Sequence, residues 1–251
     1  STMKYQTYNT NKDIMEFIPI DDIIIEQYEG DLYCCESKRG TYNNTSFRVT
    51  DKHKMFCEYK SSFAVNRGFI EAKDLPIKAT FIAQSNTCIT NLVDDTTFAY
   101  YKLCMHIVAD GYIRWYKTAH GEDRVTIVFH YKKERKIQRV IAILNECKLR
   151  YSYNVNNDKS ITIRILYPDC EKIAEIIDKH HKGKDGKCIP MSFTQLPKEQ
   201  MVKLIEEYHF ADGRYERRDN EYVYNISSTN VDTLNTLQIM AFLSGFSSSM
   251  Y

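Results

Sequence analysis

Two segments about a hundred residues apart end alike, Leu103-Cys-Met-His-Ile-Val-Ala-Asp-Gly111 and Ile205-Glu-Glu-Tyr-His-Phe-Ala-Asp-Gly213. Each is an apolar helical run whose last residue before glycine is an acid. A part repeated with its carboxylate in the same place requires two equivalent helices, and a pseudo-two-fold arrangement of them brings Asp110 and Asp212 to one centre. Paired acids at such an axis are hard oxygen donors of the kind a divalent cation takes. Asp-Gly alone is a common helix stop; its recurrence in matched surroundings favours the chemical reading.

The chain has 251 residues, 43% of them apolar, enough for a sizeable core and for two domains. No apolar run approaches the roughly 20 residues that cross a bilayer, and the opening Ser-Thr-Met-Lys-Tyr-Gln lacks a signal-peptide layout, so a folded, cytoplasmic protein without membrane contact is expected. The 8 cysteines show neither a Cys-x-x-Cys pair nor zinc-finger spacing and read as reduced thiols, mostly core. A net charge of +1 excludes a general polycation. Bases nevertheless crowd three places: Lys132, Lys133, Arg135, Lys136 and Arg139; Lys179 to Lys187; and Arg214, Arg217 and Arg218. Each cluster alone suits a solvated face, while their recurrence around the two acid motifs suits a phosphate-facing surface.

Residues 1–93 read as a small β-rich domain, with short runs at Ile23–Tyr28, Asp31–Cys35, Ser46–Thr50 and Lys54–Tyr59 between turn signals. From 94 to 251 the units are longer. Asp95-Thr96-Thr97 can cap a helix that Gly111 ends. Tyr112–Lys117 and Arg124–His130 form a hairpin, and Lys136–Asn145 has helical period with Ile137, Ile141 and Leu144 on one face. Strands at Arg150–Val155 and Ser160–Leu166 and a helix at Cys170–Lys179 complete a first repeat over 94–182. The second, over 187–251, starts its helix near Leu196-Pro-Lys-Glu199, continues with strands at Arg214–Arg217 and Glu221–Ser227 and a helix at Val231–Leu243, and is shorter by a strand pair and a helix.

This order, a helix ending in Ala-Asp-Gly followed by strands and a helix, given twice, resembles the LAGLIDADG homing endonucleases. Lys187-Cys-Ile-Pro190 followed by Leu196-Pro-Lys-Glu-Gln200 looks like the block before the second helix in intein-borne members, and Ser227 to Phe246 looks like the helix after it. The resemblance covers residues 95–251. Upstream, Arg48-Val-Thr-Asp-Lys-His-Lys54 and Gly68-Phe-Ile-Glu-Ala-Lys-Asp-Leu75 resemble the Hint (intein splicing) fold, in which Thr50 and His53 would help activate the amino-terminal splice junction. His53 is equally readable as a polar strand end.

The resemblance implies an α/β (α+β) protein with the pseudo-two-fold αββαββα fold behind a Hint-like domain, and a site-specific endonuclease that cuts double-stranded DNA to promote homing of its own element. It assigns Asp110 and Asp212 to Mg²⁺, and Lys187 to assisting the water or stabilising the transition state. The implied DNA face is Tyr112, Arg114, Tyr116, Lys117, Arg124, Thr126, Arg164, Arg214, Glu216 and Arg218, each by itself an ordinary surface residue. Alternate spacing places Tyr112, Arg114 and Tyr116 on one sheet face.

Two departures bear on activity. Where the family keeps small residues at the helix seam this chain has Met105 and Glu207, and a buried glutamate is costly unless paired, so either the interface is looser or Glu207 meets a partner such as His106 or His209. Apart from Ser1 no cysteine or serine opens a first splicing block, and no His-Asn pair closes the chain, so autonomous splicing is not expected. The short second repeat leaves open truncation, a diverged end, or a fragment completed by a complementary C-terminal chain; otherwise a monomer is expected. Two further readings stand beside the nuclease: an intein or split-intein fragment whose nuclease domain no longer cleaves, and an RNA maturase on the same fold.

Overall fold

The computed structural model describes residues 4–36, 46–60, 64–82, 85–90, 92–178, 187–218 and 221–248. The turn signals Arg39-Gly40 and Asn43-Asn44 and the basic run 179–184 lie outside them. The chain is a mixed α+β protein that divides into two compact units, residues 1–88 with 241–251, and residues 89–240.

The first unit carries β1 (Lys4–Asn9), β2 (Ile14–Pro19), β3 (Tyr33–Glu36), β4 (Ser46–Val49), β5 (Lys54–Lys60), β6 (Val65–Glu71), β7 (Ala79–Phe81) and β8 (Asn86–Thr87). They form sheets of order β1-β2-β8, β3-β4 and β6-β5-β7. Phe56 joins two of these sheets, with its ring 5.4 Å from Tyr8 and 5.1 Å from Phe69. The run Ile23–Tyr28, expected as a strand, is not one: Ile24 and Ile25 are 77% and 91% exposed. β-branched residues favour a strand only where a neighbour pairs with them and a core takes one face, and this run finds neither among the described residues. Thr50 and His53 lie in the turn between β4 and β5, where the His53 amide donates to the Thr50 carbonyl at 3.2 Å, and His53 is exposed.

The second unit holds most of the buried apolar residues. It runs α1 (Asp95–Asp110), β9 (Tyr112–Lys117), β10 (Asp123–Tyr131), α2 (Glu134–Glu146), β11 (Tyr151–Val155), β12 (Ile161–Ile165), α3 (Asp169–Asp178), α4 (Lys198–Asp212), β13 (Gly213–Arg218), β14 (Glu221–Ile226) and α5 (Val231–Leu243), the last crossing the unit boundary. Asp94, rather than the three residues after it, caps α1, accepting from the Thr97 amide at 3.0 Å and hydroxyl at 2.7 Å. α1 is buried on every side from Leu103 to Val108 because α2, α3, α4 and β10 all pack on it.

The antiparallel sheet β11-β12-β10-β9 has two chemically different faces. Val125, Ile127, Phe129, Tyr131, Ile161, Ile163 and Ile165 alternate onto the core face. Each such side chain contributes about 1.5–3 kcal/mol by leaving water, which fixes the register, since a slip of one residue would turn all of them outward. In the second repeat β13 and β14 form a sheet of two strands.

Candidate active site

Each acid sits on the last residue of its helix because the glycine after it closes the helix against its own preceding turn. Neither glycine adopts a left-handed conformation: Gly111 has φ −77° and Gly213 φ −103°. The requirement is steric. A Cβ on Gly111 would stand 2.8 Å from Ile107 Cα, and one on Gly213 would stand 2.2 Å from His209 Cδ2 and 2.6 Å from the His209 carbonyl oxygen.

The helices α1 and α4 pack together and are tied at two heights. Near their starts, the Gln200 side chain donates to the Val93 carbonyl at 3.0 Å and accepts from the Val93 amide at 3.2 Å. At mid-height His106 Nε2 meets Glu207 Oε2 at 2.9 Å, and Arg139 from α2 adds Nε to the same oxygen at 3.0 Å and Nη2 to the other. Facing a carboxylate, Nε2 carries the proton, and Nδ1 is buried without a partner among the described residues. Of the two histidines considered for Glu207 it is therefore His106 that meets it; His209 stacks on Tyr224 at 4.4 Å instead. Burial pushes the Glu207 carboxyl up, yet the bonds and charges of His106 and Arg139 prevail and hold it down at about 2.

Asp110 and Asp212 come close enough to influence each other. Burial raises the Asp212 carboxyl above its ordinary value, the charge of Asp110 raises it further, and Lys136 and Lys187 oppose both. Lys136 Nζ lies 2.6 Å from Asp110 Oδ2. Lys187 Nζ donates to the Gly111 carbonyl and lies 3.4 Å from the Ile107 carbonyl, which already accepts from the Gly111 amide at 2.9 Å, so the ammonium is fastened to the end of α1. Burial lowers the Lys187 ammonium below its ordinary value, against the charges of both acids. Tyr131, buried and with its hydroxyl unpartnered among the described residues, is raised by burial and then by the charge of Asp110.

Two partly exposed carboxylates at the ends of paired helices suit a hard divalent cation, which takes one or two protein carboxylates and completes its shell with water and phosphate oxygen. Among the described residues no group of three or more His, Cys, Asp or Glu could hold a metal by themselves. Beside Asp212 opens a cavity of about 330 Å³ whose wall includes Lys133, Arg135, Lys136, Arg214 and Asn225.

The register assembles most of the proposed DNA face. Tyr116 opposes Arg124, Arg114 opposes Thr126, and Tyr112 and Arg164 both oppose Val128, so these six residues share the face away from the core. Tyr112 and Tyr116 are 53% and 42% exposed there. Lys117 points to the opposite face with Trp115. Arg124 is partly engaged, at 3.0 Å from Glu122 and 4.1 Å over the Tyr167 ring. Arg214 and Glu216 share one face of β13, where Glu216 accepts from Asn225 at 3.1 Å; Arg218 has the same register, its side chain outside the described residues. Sequence reasoning missed Lys136, Arg139 and Gln200 as parts of this site. The only signal for the first two is their place in a basic cluster, and for Gln200 its place at the end of the block before the second helix.

No family model matches the sequence, nor does any curated protein. Among solved structures the chain is similar to several of the homing endonuclease I-DmoI, two of them at 14% identity each. One, in complex with its target DNA in the presence of 2 mM Mn, has a TM-score of 0.42 over 59% of this chain and 76% of that one. The other, with DNA and Ca, has a TM-score of 0.40 over 59% and 72%. The homing endonuclease I-WcaI bound to its DNA recognition sequence gives a TM-score of 0.26 at 13% identity, over 62% of this chain and 89% of that one.

Proposed function

We propose that this chain is a site-specific DNA endonuclease, dependent on Mg²⁺ held by Asp110 and Asp212, that makes double-strand breaks promoting homing of its own mobile element. The observation that carries the reading is the meeting of the two repeat acids at the ends of paired helices, close enough for one to raise the other. A bound Mg²⁺ supplies neutralisation of charge on the attacking and leaving oxygens of a phosphodiester. The protein's own residues do the rest. Lys133, Arg135 and Arg214 line the cavity at Asp212 and offer charge to the phosphate backbone, while Tyr112, Arg114, Arg124, Thr126 and Arg164 present a face for groove edges. Lys187, half-buried, fixed on the end of α1 and within reach of the charges of both acids, orients water or steadies developing charge.

The test is cleavage of DNA that spans the gene's own insertion point with the insertion absent, in Mg²⁺ and in EDTA. A discrete double-strand cut only in Mg²⁺, lost in Asp110→Asn and Asp212→Asn, is expected. No cut by folded protein would overturn the reading in favour of a non-cleaving module, and selective binding of a folded intron RNA would favour a maturase.

A further inference from the structure

Asp110 already has a cation. Lys136 Nζ lies 2.6 Å from Oδ2, and the pair is mostly enclosed, with side-chain exposures of 14% for the lysine and 22% for the acid. At Asp212 the same lysine acts through its charge without a hydrogen bond. The two half-sites are thus unequal: an ammonium is seated on one acid and not on the other.

Lys136 also differs from its neighbours on α2. Arg135 is fastened to α4 through the Phe210 carbonyl at 2.8 Å and lies 4.7 Å over the Phe210 ring, and Arg139 is fastened to the buried Glu207. Those two have fixed partners in the helix pair. Lys136 alone of the three is held by a group that has other work, and it lines the cavity that also contains Asp212 and Arg214.

We infer that Lys136 is an exchangeable counter-ion of Asp110: it neutralises and positions the carboxylate while no divalent cation is bound, and leaves Oδ2 when one binds. The inference rests on the reading of Asp110 as a metal acid. A divalent cation on a carboxylate oxygen stands at roughly 2.1 Å, and an ammonium hydrogen-bonded to the same oxygen would be pressed against it with like charge in a partly buried site. The flexible four-carbon stem of lysine lets the ammonium swing into the cavity, where a phosphate oxygen is its natural partner. Cation binding and lysine release are then linked, and by reciprocity a seated lysine weakens the cation.

Titration of the full chain with Mn²⁺, following the electron paramagnetic resonance of the free ion, tests this without reference to cleavage. Lys136→Met is expected to bind Mn²⁺ about fivefold more tightly than the unaltered chain, the amount an ion pair of this kind withholds. Lys133→Met removes one charge from the wall of the same cavity and is expected to change the affinity by less than about twofold, since a charge outside direct contact is screened. Unchanged or weaker binding in Lys136→Met overturns the inference, as does an equal gain in both variants, which would assign the effect to overall charge. Should Lys136→Met fail to fold, Lys136→Gln carries the same expectation. If the unaltered chain does not bind Mn²⁺, or Asp110→Asn leaves binding unchanged, the assignment of Asp110 as a metal acid fails instead.

Discussion

Glu207→Gln probes the helix seam most directly. The carboxylate accepts from His106 Nε2 at 2.9 Å and Arg139 Nε at 3.0 Å, and the His106 side chain is fully buried. A carboxyl held at about 2 against an ordinary 4.5 corresponds to about 3 kcal/mol of preference for the charged form in the folded protein. Because the folded value lies below the unfolded one, this stability is complete above the ordinary range and drains away as pH falls from about 4.5 toward 2. Glutamine keeps the shape but offers one neutral acceptor where two charged oxygens were used, and turns an amide donor toward groups that themselves donate.

The expected cost at pH 7 is about 3 kcal/mol, at the low end of what breaking a buried ion pair usually costs because Arg139 reaches water and is 34% exposed. For a chain of this size that lowers Tm by roughly 6–12 °C. At about pH 3.5 the unaltered chain has already lost roughly 1–2 kcal/mol of the same term and the variant has not, so the gap between them narrows by that amount. Urea unfolding followed by circular dichroism at both pH values measures this. A gap below about 1 kcal/mol at neutral pH, or one equal at the two pH values, would refute the account of the triad as a net stabilising lock.

Three other outcomes follow from the geometry. Asp212→Asn should abolish cleavage while leaving thermal stability equal or higher at pH 7, because an acid raised by burial and by Asp110 is a penalty on the folded state once it ionises; paired melts and cleavage assays check both halves. Gly213→Ala should cost about 1–3 kcal/mol, since its Cβ would lie 2.2 Å from His209, whereas Gly68→Ala, with nothing within 4 Å, should cost far less; urea unfolding of the pair decides it. Arg114→Ala, on the exposed sheet face, should change stability by less than about 0.5 kcal/mol yet weaken DNA binding and reduce its salt dependence by about one counter-ion, measured by titration at several ionic strengths.

The repeat itself was legible because it is local. An apolar helix with an acid and a glycine at its end can be read from nine consecutive letters, and so can the polar alternation of Tyr112, Arg114 and Tyr116. What could not be read was set by pairing across the chain. Ile23–Tyr28 has the letters of a strand and no partner among the described residues to make it one. The burial cost of Glu207 and its partner His106 are both legible in the sequence, but the rest of the solution is Arg139, 68 residues away on another helix. The glycines were recognised as stops, but the reason for glycine is the distance to a side chain and carbonyl one turn back, which only the folded backbone shows.

The role of α2 shows why a basic cluster can hide a precise function. Its apolar face, Ile137, Val140, Ile143 and Leu144, is buried and fixes how the helix lies. Arg135, Lys136 and Arg139 flank that face, so burial of the apolar stripe carries all three cations to the seam, and their long stems let the charged ends travel further. They land on the Phe210 carbonyl, Asp110 and Glu207 respectively, one contact to α1 and two to α4. A helix of the first repeat thereby holds the second repeat's helix and one of the two acids at once. If so, cutting the α2 contacts to α4 should disturb Asp110 as well: in Arg139→Met the separation of the acids is no longer enforced, and Mn²⁺ affinity should fall even though a positive charge has been removed, a direction that simple charge removal cannot produce. A rise in affinity, measured by the same titration, would mean that α2 acts only through its charge and not as a clamp.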